Sequence, residues 1–343
     1  MAAQAVDFTL SGQVSRTLFV NQTNDKSATD ADSTKAVIRD NNGSTRVRAN
    51  GHSELDNGST VGIQFEYAVD AGVSLRHANV QFRGAYGAFT FGQGSEAGDG
   101  SAGLGPGVTG IGAGQDGASA VTKYFFGSLD GGGRTNMIRY DTPAIGPVSA
   151  AVSLGNGDSI SGLLALSSEF SGTTVAARVG AGQATSAVSG TKGSTFSAST
   201  GVTLASGLSI GGAWGQGDDF TTGAPGSVTC AAATSATTPT GCVVTPKVGL
   251  VTDPTYFRAG IGYTFGGTTV AASWYSSEDF AVEGSEGSAL GIGATHTLEK
   301  VGATIHASVQ NYQVKRLGMD PDTGMAIPDR DETVFQLGTL ITF

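Results

Sequence analysis

Residues 61–69 state in miniature the constraint that the whole chain obeys. Val61, Ile63, Phe65, Tyr67 and Val69 occupy one parity, and Gln64, Glu66 and Ala68 the other. A period of two is the signature of a strand with one oily and one wet face. It recurs from end to end. Phe8, Leu10 and Val14 stand against Thr9, Ser11 and Gln13; Val47, Ala49 and Leu55 stand against Arg46, Arg48, Asn50 and His52. Near the end, Val301, Ala303, Ile305, Ala307 and Val309 alternate with Thr304, His306, Ser308 and Gln310, and the chain closes on Phe335, Leu337, Thr339, Ile341 and Phe343 of one parity.

Followed through, the alternation predicts about sixteen strands, the even number that a single-chain bacterial outer-membrane barrel requires. The connections sort themselves by length. After even-numbered strands they are short: 56–58, 84–87, 171–172, 206–207, 266–267 and 299–300. After odd-numbered strands fall the long ones: 21–43, 95–133, 218–254, 279–286 and 314–331. Short periplasmic turns and long outer loops are the expected asymmetry of such barrels, which would put both termini on the periplasmic side.

Composition narrows the choice. Only 14% of residues are charged, against about a quarter in soluble domains. No apolar run reaches the length of about eighteen residues that a membrane helix needs. Many positions on the oily parity are small Ala and Gly, which would fill a soluble core poorly. In hydrocarbon every backbone amide must be paired, so such a sheet must close. A soluble Gly/Ser/Thr-rich sandwich or β-helix is the competing architecture. The expectation is one all-β domain over residues 1–343, a transmembrane antiparallel barrel with an inward-folded constriction loop. Aromatics near strand ends (Phe8, Phe89, Phe170, Phe265, Phe280 and Phe343) suit interfacial girdles. Met1–Ala5 lack the cationic and apolar regions of an export signal, so the chain reads as a mature form with a start methionine. A net charge of −10 argues against nucleic acid as a partner.

The stretch 95–133 breaks the alternation. It is glycine-rich and carries Glu96, Asp99, Asp116 and Asp130. A long irregular insertion inside a regular β pattern is usually functional, and this one is read as entering the barrel mouth and setting the size of the hole. Arg46, Arg48, Arg83 and Arg139 have inward parity. Cys230 and Cys242 lie in the 218–254 connection and are expected to close a small disulfide loop in an oxidising envelope. Arg16 falls on the outward parity of the first strand, which marks either a bulge or a site buried between subunits.

Four segments resemble the trimeric general porins of Gram-negative bacteria: 8–14, similar to their first strand; 44–48, similar to their second strand with inward basic residues; Asn136-Met137-Ile138-Arg139-Tyr140-Asp141-Thr142-Pro143, similar to the strand after their constriction loop; and the terminal Phe343 on an alternating strand. The usual Pro-Glu-Phe-Gly-Gly segment of the loop tip is replaced by glycine-rich sequence. The resemblance implies a homotrimer in the outer membrane, among lipid and lipopolysaccharide, passing small hydrophilic solutes and ions. It also implies that the loop acids Glu96, Asp99 and Asp116 face an arginine wall of Arg46, Arg48, Arg83 and Arg139. Opposed charges across a narrow gap create a transverse field that orients solutes and sorts ions. Asp130, at the loop exit, is expected to be merely solvated.

Two other functions compete with the general pore. A solute-specific channel shares every feature above. A barrel protease or lipase would need a nucleophile or acid cluster at the rim, and His77 near Asp70 is the sole weak candidate. Gly105, Gly107 and Gly110 spell G-x-G-x-x-G but lack the strand and helix of a dinucleotide site. The four histidines are scattered without metal spacing. No cofactor is called for, and Ca²⁺ on the loop carboxylates is the one metal left open.

Overall fold

A computed structural model describes residues 7–25, 33–40, 44–69, 72–103, 118, 122–186, 189–230, 242–280, 283–315 and 329–343. Among the described residues nineteen strands follow one another: β1 (Asp7–Asp25), β2 (Ser33–Arg39), β3 (Arg46–Glu54), β4 (Thr60–Ala68), β5 (Ser74–Gly84), β6 (Gly87–Ser95), β7 (Arg134–Asp141), β8 (Val148–Gly155), β9 (Ser159–Phe170), β10 (Thr173–Thr185), β11 (Lys192–Thr203), β12 (Leu208–Asp218), β13 (Phe220–Cys230), β14 (Cys242–Thr252), β15 (Thr255–Phe265), β16 (Thr268–Glu278), β17 (Glu286–Leu298), β18 (Ala303–Lys315) and β19 (Arg330–Thr342). Because β2 and β3 share one position in the wall and β13 and β14 form a separate hairpin, the wall is a closed antiparallel barrel of 16 strands.

Closure is made by the two ends of the chain. β1 pairs with β19 from Gln13↔Thr342 to Asp25↔Arg330. The terminal residue completes the ladder: the Gly12 amide donates to the Phe343 carbonyl at 2.9 Å and the Phe343 amide returns a bond at 3.1 Å. No barrel edge is left there to pair with another chain.

The outward parity is apolar as expected. Leu10, Phe65, Val179, Ile210, Trp214, Ile261, Trp274, Ile292 and Leu337 all lie exposed on the outer face. An oily surface this extensive is unstable in water and is the lipid-facing band of a membrane barrel. Phe8, Phe89, Phe170, Phe265 and Phe343 are exposed near strand ends. Phe280 corrects the girdle expectation: it is buried inside the barrel, where a Cβ on Gly127 would come within 2.6 Å of its ring.

Three departures from simple alternation matter. The 21–43 connection contains β2, which continues the second wall strand along β1. Between the rungs Thr17↔Arg39 and Gln13↔Arg46 the wall is interrupted. There Arg16 donates from Nη1 to the Ser15 carbonyl at 2.7 Å and to Thr45 Oγ1 at 2.9 Å, and pairs with the largely buried Asp40. The second departure is a β-bulge: pairing jumps from Glu66↔His77 to Tyr67↔Leu75, so Arg76 is extra. The third is the β13–β14 hairpin within the long 218–254 connection, whose register sets Cys230 directly opposite Cys242.

Candidate functional site: the barrel interior

The described parts of the connection between β6 and β7 run inside the barrel, held by inward-facing side chains of the wall. Its entry limb lies on β8 to β11. The Ala97 amide donates to Ser153 Oγ at 2.9 Å, the Gly98 amide to Ser161 Oγ at 2.7 Å, and the Ser101 and Ser197 hydroxyls are 2.5 Å apart. The exit limb returns beside it through the bridge Gly98↔Gly131. Glycine is required here by contact distance. A Cβ on Gly131 would stand 2.5 Å from the Ala181 nitrogen, and one on Gly182 would stand 2.1 Å from the Gly131 carbonyl oxygen. Only bare backbones lie this flat against each other.

Further along, the loop crosses to β15, β16, β18 and β19. A 3-10 turn, Thr122–Phe125, begins with the Thr122 hydroxyl donating to Glu332 at 2.5 Å. Phe125, Phe126 and Leu129 are buried against Tyr256, Tyr275 and Tyr312, and Phe126 meets the rings of Tyr275 and Tyr312 at 5.2 and 5.3 Å. Burying each such side chain contributes roughly 1.5–3 kcal/mol. Arg258 lies over the rings of Tyr256 and Tyr275 at 5.3 and 5.0 Å and donates to the Gly127 carbonyl at 3.2 Å. The described parts of the loop are thus pinned to the β8–β12 and β15–β19 side of the wall, which leaves the β3–β7 part facing it.

That facing half is basic. Arg46 and Arg48 on β3 and Arg76 on β5 converge on the buried Glu66 of β4. Arg76 Nε donates to Glu66 Oε1 at 2.5 Å, Arg46 Nη1 lies 3.4 Å from the same oxygen, and Arg48 bonds Oε2. Arg48 Nη2 also donates to Gln13 at 2.9 Å. Three guanidinium groups around one carboxylate leave a positive locus. Beside it Arg134 faces Asp99 of the loop at 3.6 Å.

The arginines and acids named from the sequence therefore separate. Arg46 and Arg48 sit together on the basic wall. Asp99 does oppose an arginine, but that partner is Arg134. Arg139 is paired with Asp141 at 2.6 Å and donates to the carbonyls of Ser95 and Glu96 at 3.1 and 3.0 Å, so it fastens the loop entry. Arg83 lies six residues beyond His77, near the short turn to β6, roughly 20 Å along the strand; it is not part of the cluster. Glu96 is buried: its carboxylate accepts the Gly133 amide at 2.9 Å and the Ser159 hydroxyl, joining both loop limbs to β9. Asp130, expected to be solvated, instead accepts the Ala102 amide at 2.8 Å, and burial pushes its carboxyl up from the ordinary range. Asp116, Asp70 and Gly105–Gly110 lie outside the described residues. Among the described residues no three His, Cys, Asp or Glu side chains gather as a metal site.

Arg76, Arg134 and Glu66 escaped the sequence reading. Arg76 carried a usable signal. Strict alternation from Ala78, Val80 and Phe82 would turn it toward lipid, where arginine costs about 2–4 kcal/mol at the midplane. The bulge resolves the conflict by turning it inward.

A closed, lipid-belted barrel with a loop folded into a charged interior defines an outer-membrane channel. The Gram-negative porin family profile matches residues 1–317, and the chain belongs to that family. Among solved structures it is similar to the anion-selective porin from Comamonas acidovorans, with a TM-score of 0.66 at 17% identity over 99% of this chain and 100% of that one. The trimer form of OmpT, an outer membrane protein of Vibrio cholerae, superposes with a TM-score of 0.60 at 12% identity over 99% and 100% of the two chains. The outer membrane channel DcaP of Acinetobacter baumannii gives 0.57 at 12% identity over 98% and 99%. A search of curated protein sequences returns no match. The protein is a porin of the outer membrane, a channel for small solutes.

Proposed function

We propose that this porin forms a water-filled, non-catalytic diffusion pore that prefers anions. The observation that carries the reading is one buried carboxylate, Glu66, shared by three arginines opposite the pinned loop. The chain as a whole is −10, yet local charge governs ion sorting, because the Debye length is about 8 Å at physiological salt. The anion selectivity of the Comamonas porin agrees with this direction.

The proposed assembly is a homotrimer, with both termini periplasmic and the remaining outer face against lipid and lipopolysaccharide. The trimer form of the Vibrio protein supports it. So does Arg16, half exposed on the outward parity beneath two further apolar rows, Leu18↔Leu337 and Val20↔Phe335. A charge at that depth is better covered by protein than by hydrocarbon.

Liposome swelling with neutral sugars tests the pore directly; esterase and protease assays on the same preparation test the enzyme alternative. Rates should fall smoothly with sugar mass, without saturation, and hydrolysis should stay at background. Saturable uptake of one solute would replace the general pore by a solute-specific channel. Unheated electrophoresis should place the protein near three times its 34.3 kDa chain, and Arg16→Leu should lower the temperature at which the trimer dissociates.

A further inference from the structure

Arg83 stands apart from the other arginines of the barrel interior. Arg46, Arg48 and Arg76 share Glu66, Arg134 has Asp99, and Arg139 has Asp141. Arg178 reaches a loop carbonyl, and Arg258 is packed on tyrosine rings. Arg83 is exposed, and among the described residues its only partner is the Gln81 side-chain carbonyl. That bond begins a relay: Gln81 Nε2 donates to Asn79 Oδ1 at 3.0 Å, and Asn79 Nδ2 donates to the Gln93 carbonyl at 3.0 Å. One edge of the guanidinium is thereby fixed, and the other faces open space.

That space is a pair of adjoining recesses in the wall. One, of 490 Å³, lies on the side of Thr90 and Arg139; the other, of 440 Å³, lies on the side of Asn50 and His52. Gln64, Gln81 and Arg83 line both. The nearest acid in the recesses, Asp141, is already held by Arg139.

Resting on the channel reading above, we propose that Arg83 is the centre of a second solute station at the short-turn end of the pore, and that it takes small hydroxylated carboxylates. The guanidinium fork matches a carboxylate in two parallel bonds. The surrounding amides both donate and accept, which is what a row of hydroxyls requires. Chloride can use only the amide donors, and a neutral sugar has no use for the charge. The station therefore discriminates among organic anions after the basic wall has admitted them.

The test is current block in a planar bilayer carrying potassium chloride, with gluconate, acetate or glucose added to either side. In the parent, gluconate should interrupt the current at lower concentration than acetate or glucose, and more effectively from one side. Arg83→Gln should raise the half-blocking concentration of gluconate about tenfold, the loss expected for one charge-assisted pair, weaken any acetate block as well, and leave glucose unchanged. Arg83→Lys, which keeps the charge but not the fork, should weaken gluconate block by a smaller factor and supplies the test if the glutamine variant does not fold. Equal block by gluconate and acetate in the parent, or unchanged gluconate block in both variants, overturns the station. Phosphate blocking in place of gluconate also overturns it, as that would mean a bare anion site. Absence of any chloride current would instead remove the channel reading.

Discussion

Arg76 and Glu66 meet across β5 and β4 at 2.5 Å only because the ladder slips at that point. The contact brings a third positive charge to a carboxylate that already serves Arg46 and Arg48. Glu66→Gln removes the one negative charge and keeps an acceptor for the forks. A unit charge at about 6 Å in a water-like medium is worth roughly 0.7 kcal/mol, or about threefold in local ion occupancy. Chloride occupancy rises and potassium occupancy falls by that factor, so the ratio of chloride to potassium permeability should rise by up to about tenfold. Arg76→Gln should lower it comparably. Bi-ionic potentials measure both; no change in either variant would mean that the cluster lies off the conducting path.

Gly131 and Gly182 predict a separation of pore from wall. Gly182→Ala puts a methyl 2.1 Å from the Gly131 carbonyl oxygen, and the loop must lift. The β10 ladder can keep its bonds, because alanine is compatible with a strand. Heat-modifiable electrophoresis should show a folded barrel, while single-channel conductance differs from the parent. Gly162→Ala, where a Cβ would stand 3.9 Å from its nearest neighbour, should leave both unchanged.

Much of this was legible in the residues. Parity located the sixteen wall strands, since a strand with water on one side and lipid on the other has almost no freedom in what it shows to each. The loop was legible as the place where parity stops. What parity missed are the sites where local geometry overrides it. Arg76 is turned by a bulge, whereas Arg16, which parity already set outward, sits where β2 breaks from β3. Phe280 looked like a girdle residue, but it covers Gly127 of the loop, a contact remote in sequence. Glu96 looked like a pore charge and Asp130 like a solvated one, yet a loop laid on a wall must satisfy its backbone amides, and these carboxylates do that.

Asp130 gives a pH-dependent prediction. Burial raises its carboxyl above the unfolded value, with Asp99 adding repulsion and Arg258 and the Ala102 amide opposing. The raised direction means that the folded loop favours the protonated form. Its stability contribution is full below the unfolded value and is lost as pH rises through the folded one. Asp130→Asn keeps an acceptor for Ala102 and removes the buried charge. Protection of the Ala102 amide from hydrogen exchange should therefore equal or exceed the parent at neutral pH, and the two should converge in acid. Lower protection at neutral pH would contradict this.

Cys230 and Cys242 are direct cross-strand partners. Opposed Cα atoms in an antiparallel pair lie about 4.5–5.5 Å apart, within disulfide range. A bond there would stabilise the hairpin by up to about 3 kcal/mol and leave the barrel indifferent. Thiol titration of the unfolded, unreduced protein should find none free, and reduction should leave conductance unchanged. Two free thiols would dismiss the bond.

The reversal potential of the parent channel under a potassium chloride gradient reads the central claim most directly. If the basic wall governs the path, chloride carries the larger share of current, the potential has the sign of anion preference, and Arg46→Ala combined with Arg76→Ala shifts it toward potassium with folding intact. A potential of the cation sign in the parent, or one unmoved by that double substitution, would contradict the account.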